Sequence, residues 1–343
     1  GSVANVNTAI ASVTYAPTAN FNGASALTFA TNDGGAPVSK TVDITVTPVH
    51  IAFDEACKSA AERGIRVTGS ELVGLVPKQA LLDAADFYLH RQERSLGISE
   101  REKIKLAVKS LGLGDLAPFD PQKKVIEYML ADAGAERLVS MDLKRFSEET
   151  AGESPAPGGG SVAAYIGALG AALGTMVANL SAHKRGWDDR WEEYSQWAVK
   201  GEKLRNELLF LVDEDTRAFD RILAAMGLPK GSDAEKAARD AAVLEATKGA
   251  INAPLRTMQV CVESMGLMRA MAEKGLKASV SDAGVGALCD RAGALGGYLN
   301  VRINCAGMAD EAFKKDVLGK AEELKSMAER AEAEVMALTL EKI

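Results

Sequence analysis

Histidine is scarce in this 343-residue chain: His50, His90 and His183 are the only three, and none has a second at metal-ligand spacing. No metal site is therefore expected. The four cysteines, Cys57, Cys261, Cys289 and Cys305, form no CxxC pair and fall in apolar surroundings, which predicts reduced, buried thiols and no disulfide framework. Basic runs are missing, and the net charge of -7 argues against nucleic acid as the main partner. The opening GSVANVNTAI lacks the basic and apolar parts of a secretion signal, so none is expected. With 47% hydrophobic and 25% charged residues, the composition is that of a soluble globular protein long enough for two or three domains.

What the chain does have is a stretch around which the rest is organised. Residues 154–180, SPAPGGGSVAAYIGALGAALGTMVANL, run from a Pro/Gly-rich turn straight into apolar sequence with almost no charge. Gly158, Gly159 and Gly160 are not a helix interior; they permit close backbone approach. Ser161 stands where an N-cap belongs, with a helix expected from Val162. That helix is apolar on every side, which predicts burial, and Gly167, Gly170 and Gly174 predict close helix contacts. A membrane span is the rival reading, since length and a GxxxG fit. It is disfavoured because Ala and Gly supply little transfer energy and Asn179 closes the run, so no membrane partner is expected. The glycines and Ser161 are a candidate anion cradle at a helix N-terminus; a plain turn and cap accounts for them equally well. No Lys follows as in a Walker loop, and no GxGxxG follows a strand.

Residues 1–44 are rich in Thr, Asn, Ala and Gly with alternating apolar positions such as Leu27, Phe29, Val42 and Ile44, and with turn signals at 21–23 and 32–35. This is strand and turn chemistry. From 45 to 131 helices take over, at 51–63, 77–91, 99–111 and 121–130, with a short strand at 65–68, making an α/β fragment. Residues 132–153 read as a polar linker with one amphipathic segment. From 154 to 343 only helices are expected, broken at 183–186, 227–232, 275–281 and near 307.

One helix carries a candidate catalytic group. Over 203–226, at about 100° per residue, Leu204, Leu208, Leu211, Phe219, Ile222 and Met226 share an arc with Asp215 in its middle. Asp213 points away and reads as solvated. Burial raises a carboxyl pKa, which suits Asp215 to general acid/base work; a buried ion pair or helix-capping acceptor is an equal alternative. Asp282 reads first as an N-cap. Asn300 and Asn304, four apart on GYLNVRIN, share a face and either join helices or meet a polar ligand edge. Lys184 and Arg185 end the Gly/Ala helix, where cations suit its dipole.

Several of these strings resemble one family. VTPVHIAFDEACKSAAERGIRVTGSELVGLVPKQALLDAADFY and LGLGDLAPFDPQKKVIEYML are similar to the C-terminal end of the formiminotransferase domain of formiminotransferase-cyclodeaminase. SPAPGGGSVAAYIGALGAALGTMVANL, LVDEDTRAFDRILAAMGLPK, SDAGVGAL and GYLNVRIN stand in the order and spacing of its cyclodeaminase domain and of the small methenyltetrahydrofolate cyclohydrolases. YAPTANFNGASALTFATNDGG resembles the end of a bacterial cadherin-like repeat. The fold these resemblances imply is mainly α: an all-helical cyclodeaminase-type bundle over 154–343, preceded by the α/β fragment and the short β-rich segment.

The resemblance further implies a folate-dependent cyclodeaminase acting on 5-formiminotetrahydrofolate. Asp215 would be the proton carrier, with Gly158, Gly159, Gly160, Ser161, Lys184, Arg185, Asp282, Asn300 and Asn304 as substrate contacts. No metal and no cofactor beyond the tetrahydrofolate substrate is implied. A homodimer or larger homo-oligomer in the cytoplasm is expected, and formiminotransferase activity is not. The alternatives are methenyltetrahydrofolate cyclohydrolase and an inactive helical assembly module.

Overall fold

The structure, a computed structural model, describes residues 23–31, 38–130 and 137–343. The turn signal at 32–35 and the sequence before residue 23 lie outside the described residues. Two compact units emerge: Gly1–Tyr88 with Glu100–Ala131, and Leu89–Ser99 with Asp132–Ile343.

In the first unit β1 (Gly23–Thr31) and β2 (Val38–Val46) pair antiparallel, with Leu27 opposite Val42. Helices α1 (Val49–Glu62), α2 (Lys78–Arg91), α3 (Glu100–Ser110), α4 (Pro121–Lys124) and α5 (Ile126–Leu130) follow. Leu81, Ala84 and Tyr88 of α2 bury against Ile104 and Ala107 of α3. Val76 and Val125, joined by a single parallel bridge, close this core. The strand expected at 65–68 is absent: the stretch is irregular and Ile65 is 62% exposed. A short β-branched run without a neighbouring strand has nothing to satisfy its ladder.

The second unit is helical: α6 (Leu143–Ala151), α7 (Gly159–Ala182), α8 (Trp191–Met226), α9 (Asp233–Lys274), α10 (Val280–Asn304) and α11 (Glu311–Lys342). Helix α7 packs against α8, α9 and α10, burying Ala164, Ala168 and Ala171. Small side chains are what let three helices converge on one. At Gly170 a Cβ would stand 2.8 Å from the Gly286 carbonyl of α10, a backbone contact that has no room to yield. Among the described residues α7 is also the one helix long and apolar enough to cross a membrane, but 61% of its most apolar window is buried within the protein.

Five sequence expectations differ from the structure. Helix α7 begins earlier than expected, with Gly158 as N-cap, so Ser161 lies inside the first turn and is fully buried. Asp282 sits within the first turn of α10, whose N-cap is Ser279, and so does not cap it. Residues 138–153 are no free linker: a 3-10 turn (Leu138–Ser140) lies on α8, Leu138 enters the core with Leu204 and Leu208, and Phe146 of α6 packs on Tyr165 of α7. That layer covers Asp213, which is 7% exposed rather than solvated and accepts the Leu138 N–H at 2.8 Å. A helical wheel assumes one buried face, whereas α8 has a second cover. Of the cysteines, Cys261 and Cys305 are buried and Cys57 and Cys289 only partly so; all four are free.

Helix α9 carries Pro254 in its interior. Proline brings no N–H, which orphans the carbonyl four residues before it. That carbonyl, Ala250 O, accepts Asn304 Nδ2 at 2.9 Å. One break in a helix thus holds the end of α10 in place.

Candidate active site

A cavity of about 190 Å³ opens where the first turn of α7, the middle of α8 and the end of α10 meet. Gly158, Gly159 and Gly160 form one wall, Asp215, Thr216, Phe219 and Asp220 a second, and Asn300 and Asn304 a third. Pro155, Ala156, Ile222 and Ala250 complete it.

Asp215 lies against the glycine wall. A Cβ on Gly160 would come within 2.5 Å of the Asp215 Cγ, so only glycine lets the carboxyl reach this turn. Ser161, at the third helical position, supplies a main-chain N–H with no intrahelical partner, and its hydroxyl lies 3.2 Å from Asp215 Oδ2. The same Oγ is 2.9 Å from Val212 O. With one proton the hydroxyl serves one acceptor at a time: it donates to a charged Asp215, or donates to Val212 O while accepting from a protonated Asp215. Both protonation states are therefore accommodated without rebuilding the site.

Burial pushes the Asp215 pKa up from its ordinary 3.8, opposed by the Ser161 hydroxyl and main-chain N–H, which favour the charged form. The helix-capping reading describes the contact with the first turn of α7, and the buried-ion-pair reading does not hold, since no cation pairs with Asp215 among the described residues. A carboxyl raised toward neutrality, beside a cavity and a helix N-terminus, can both take and return a proton.

Of the residues singled out from sequence, Gly158, Gly159, Gly160, Asp215, Asn300 and Asn304 line this one cavity, with Ser161 directly behind it. Lys184 and Arg185 do not belong to it. They follow the far end of α7, 24 residues and about 36 Å of helix rise from Gly160. Asp282, in the first turn of α10, is likewise about 27 Å of helix from Asn300. Helical phase had put Phe219 and Ile222 on the Asp215 arc, but sequence reading missed Thr216 and Asp220 on the cavity wall; the one signal for those two was their nearness to Asp215. Among the described residues no cluster of His, Cys, Asp or Glu is arranged to hold a metal ion.

These features define a helical protein with a half-buried carboxyl set at a cavity wall beside a helix N-terminus. A family model described as formiminotransferase-cyclodeaminase matches residues 142–323, and one described as formiminotransferase domain matches 28–131. The chain belongs to the formiminotransferase-cyclodeaminase family. The transferase-domain match begins at residue 28, inside the stretch likened to a cadherin repeat, and nothing supports that likeness. The formimidoyltransferase-cyclodeaminases of Rattus norvegicus and Gallus gallus are 38% and 40% identical over 80% and 87% of this chain. The chain spans about half of their length, 51% and 55%. Methenyltetrahydrofolate cyclohydrolase of Methylorubrum extorquens is 41% identical over 53% of the chain and 88% of its own length. The crystal structure of formiminotetrahydrofolate cyclodeaminase from Thermotoga maritima superposes with a TM-score of 0.51 at 30% identity, covering 58% of this chain and 95% of that one.

Proposed function

We propose that the helical unit is a folate-dependent cyclodeaminase that closes 5-formiminotetrahydrofolate to 5,10-methenyltetrahydrofolate and releases ammonia. The observation that carries this reading is the Asp215 carboxyl, raised by burial and set against a helix N-terminus at a cavity wall. N10 attacks the formimino carbon, Asp215 takes the N10 proton, and the same carboxyl returns it to the amine. The carbon–nitrogen bond then breaks, ammonia departs and the carboxylate is regenerated. One residue thus serves both halves of the reaction, and ring closure within a single molecule asks of the protein mainly that the near-attack conformer be held. No cofactor beyond the tetrahydrofolate substrate takes part.

The identity to a cyclohydrolase favours a second reading, in which the same cavity adds water to the methenyl carbon. Both are tested by giving the purified chain 5-formiminotetrahydrofolate and, separately, 5,10-methenyltetrahydrofolate, following methenyl absorbance and ammonia together. Ammonia released in step with methenyl supports the deaminase; hydrolysis of the methenyl compound alone supports the cyclohydrolase. Asp215→Asn should lower turnover by about 100- to 10,000-fold while folate binding survives. Full turnover in that variant removes the proton-carrier assignment.

The proposal extends to a cytoplasmic homodimer. Leu169, Met176 and Leu180 of α7 and Val285, Leu288 and Leu299 of α10 are 38–65% exposed. Spacings of three, four, seven and eleven place each set along one stripe. Two adjacent apolar stripes on one face suit a second copy of the same face about a two-fold axis. Sedimentation analysis of the wild type and of Leu169→Lys reads this directly, and a monomeric wild type would dismiss it.

A further inference from the structure

The cavity is lopsided in charge and in hydrogen-bonding character. Asn300 and Asn304 each spend one Nδ2 hydrogen on a main-chain carbonyl, Gly296 O and Ala250 O, both at 2.9 Å, and each keeps its Oδ1 acceptor and a second N–H. Asp215 and Asp220 add two carboxyl groups, and no Lys, Arg or His is among the lining residues. The arginines flanking Asp220 in sequence do not neutralise it. Arg221 pairs with Glu214 at 2.6 Å and Arg217 with the same Glu214 at 3.7 Å. Asp220 stays exposed at the cavity wall without an ion pair among the described residues.

Across from the donor groups of the α7 N-terminus, the Asp215 and Asp220 wall suits the part of a ligand that brings positive charge. An amidine is a strong base, carried as its amidinium near neutrality. We infer that this cavity selects its substrate by charge, binding the formimino group as the amidinium cation with Asp220 as its counter-charge. The inference rests on the cyclodeaminase reading and names the form of the substrate that the site accepts.

The charge balance of the reaction fits. N10 of the amidinium form attacks the central carbon, the π pair moves to nitrogen, and Asp215 carries the N10 proton to that nitrogen. Ammonia leaves with the bonding pair, and the methenyl product is again a cation. Positive charge therefore sits in the cavity before and after ring closure. A fixed carboxylate facing it contributes mainly to uniform binding, which appears in KM rather than in the chemical step.

The test compares 5-formiminotetrahydrofolate with 5-formyltetrahydrofolate, in which a neutral carbonyl oxygen replaces the amidinium nitrogen. Asp220→Asn should raise KM for the formimino compound about 3- to 10-fold, as suits one partly exposed charge contact. Direct titration should show the formyl compound binding nearly as before, and Asp220→Glu should restore the preference. Equal loss for both ligands, or loss for neither, overturns the inference. Should the wild type form no methenyl product, the cyclodeaminase reading fails by itself. Direct binding of the two ligands still decides the charge preference, which stands if wild type favours the formimino compound and Asp220→Asn does not.

Discussion

Gly160→Ala isolates the geometry of the proton carrier from its chemistry. The new methyl would stand 2.5 Å from Asp215 Cγ and 2.6 Å from Oδ2, where ordinary contact begins near 3.4 Å. Oδ1 lies nearer still, so the carboxyl must retreat by about 1 Å or more, and a misplacement of about 1 Å can cost roughly 100-fold in rate. Stability should move the other way. The obstructing atoms belong to the end of a side chain that can swing into the cavity, and alanine gains up to about 1 kcal/mol over glycine within a helix. The expected result is a kcat reduced about 100-fold in a protein whose thermal midpoint is unchanged or higher, measured by methenyl absorbance and calorimetry. In combination with Asp215→Asn the two losses should not add, since both act on one group. Wild-type kcat in Gly160→Ala, or full additivity in the double variant, would refute the placement of Asp215 as the working carboxyl.

Asp213→Ala should destabilise the helical unit by about 1–3 kcal/mol, because the buried Leu138 N–H loses its acceptor; a chemical denaturation midpoint equal to wild type would show that this tie is dispensable. Asp290 offers a test of the opposite sign. It is fully buried with no cation against it among the described residues, and burial drives its pKa well above the ordinary 3.8, opposed only by the nearby Ser264 hydroxyl. The folded state thus keeps a proton that the unfolded state releases. Its contribution is most favourable below about pH 4 and declines by about 1.4 kcal/mol per pH unit as pH climbs toward the folded-state value. Asp290→Asn, neutral at every pH, should be more stable than wild type at pH 7 to 8 and lose that slope; an unchanged slope would contradict the assignment.

The sequence by itself determined the helical character of the second unit, its breaks and the burial of α7. Each of these is a local property: residue size, periodicity and turn chemistry act within a few residues of one another. The strand expected at 65–68 failed because a strand needs a partner that local sequence does not supply. Tertiary structure alone decided which carboxylate was covered by what. Asp213 is hidden by Leu138, 75 residues earlier, and Asn304 is held by a carbonyl that Pro254 orphans on another helix. Asp220 joins the cavity because α8 passes the first turn of α7 and the end of α10 together. Lys184, Arg185 and Asp282 fall outside it because α7 and α10 are rigid rods of 24 and 25 residues, whose two ends cannot serve one small cavity. A helical wheel carries the angle of a side chain around its own axis but not the identity of the neighbours at that angle, and those are set only when the helices pack.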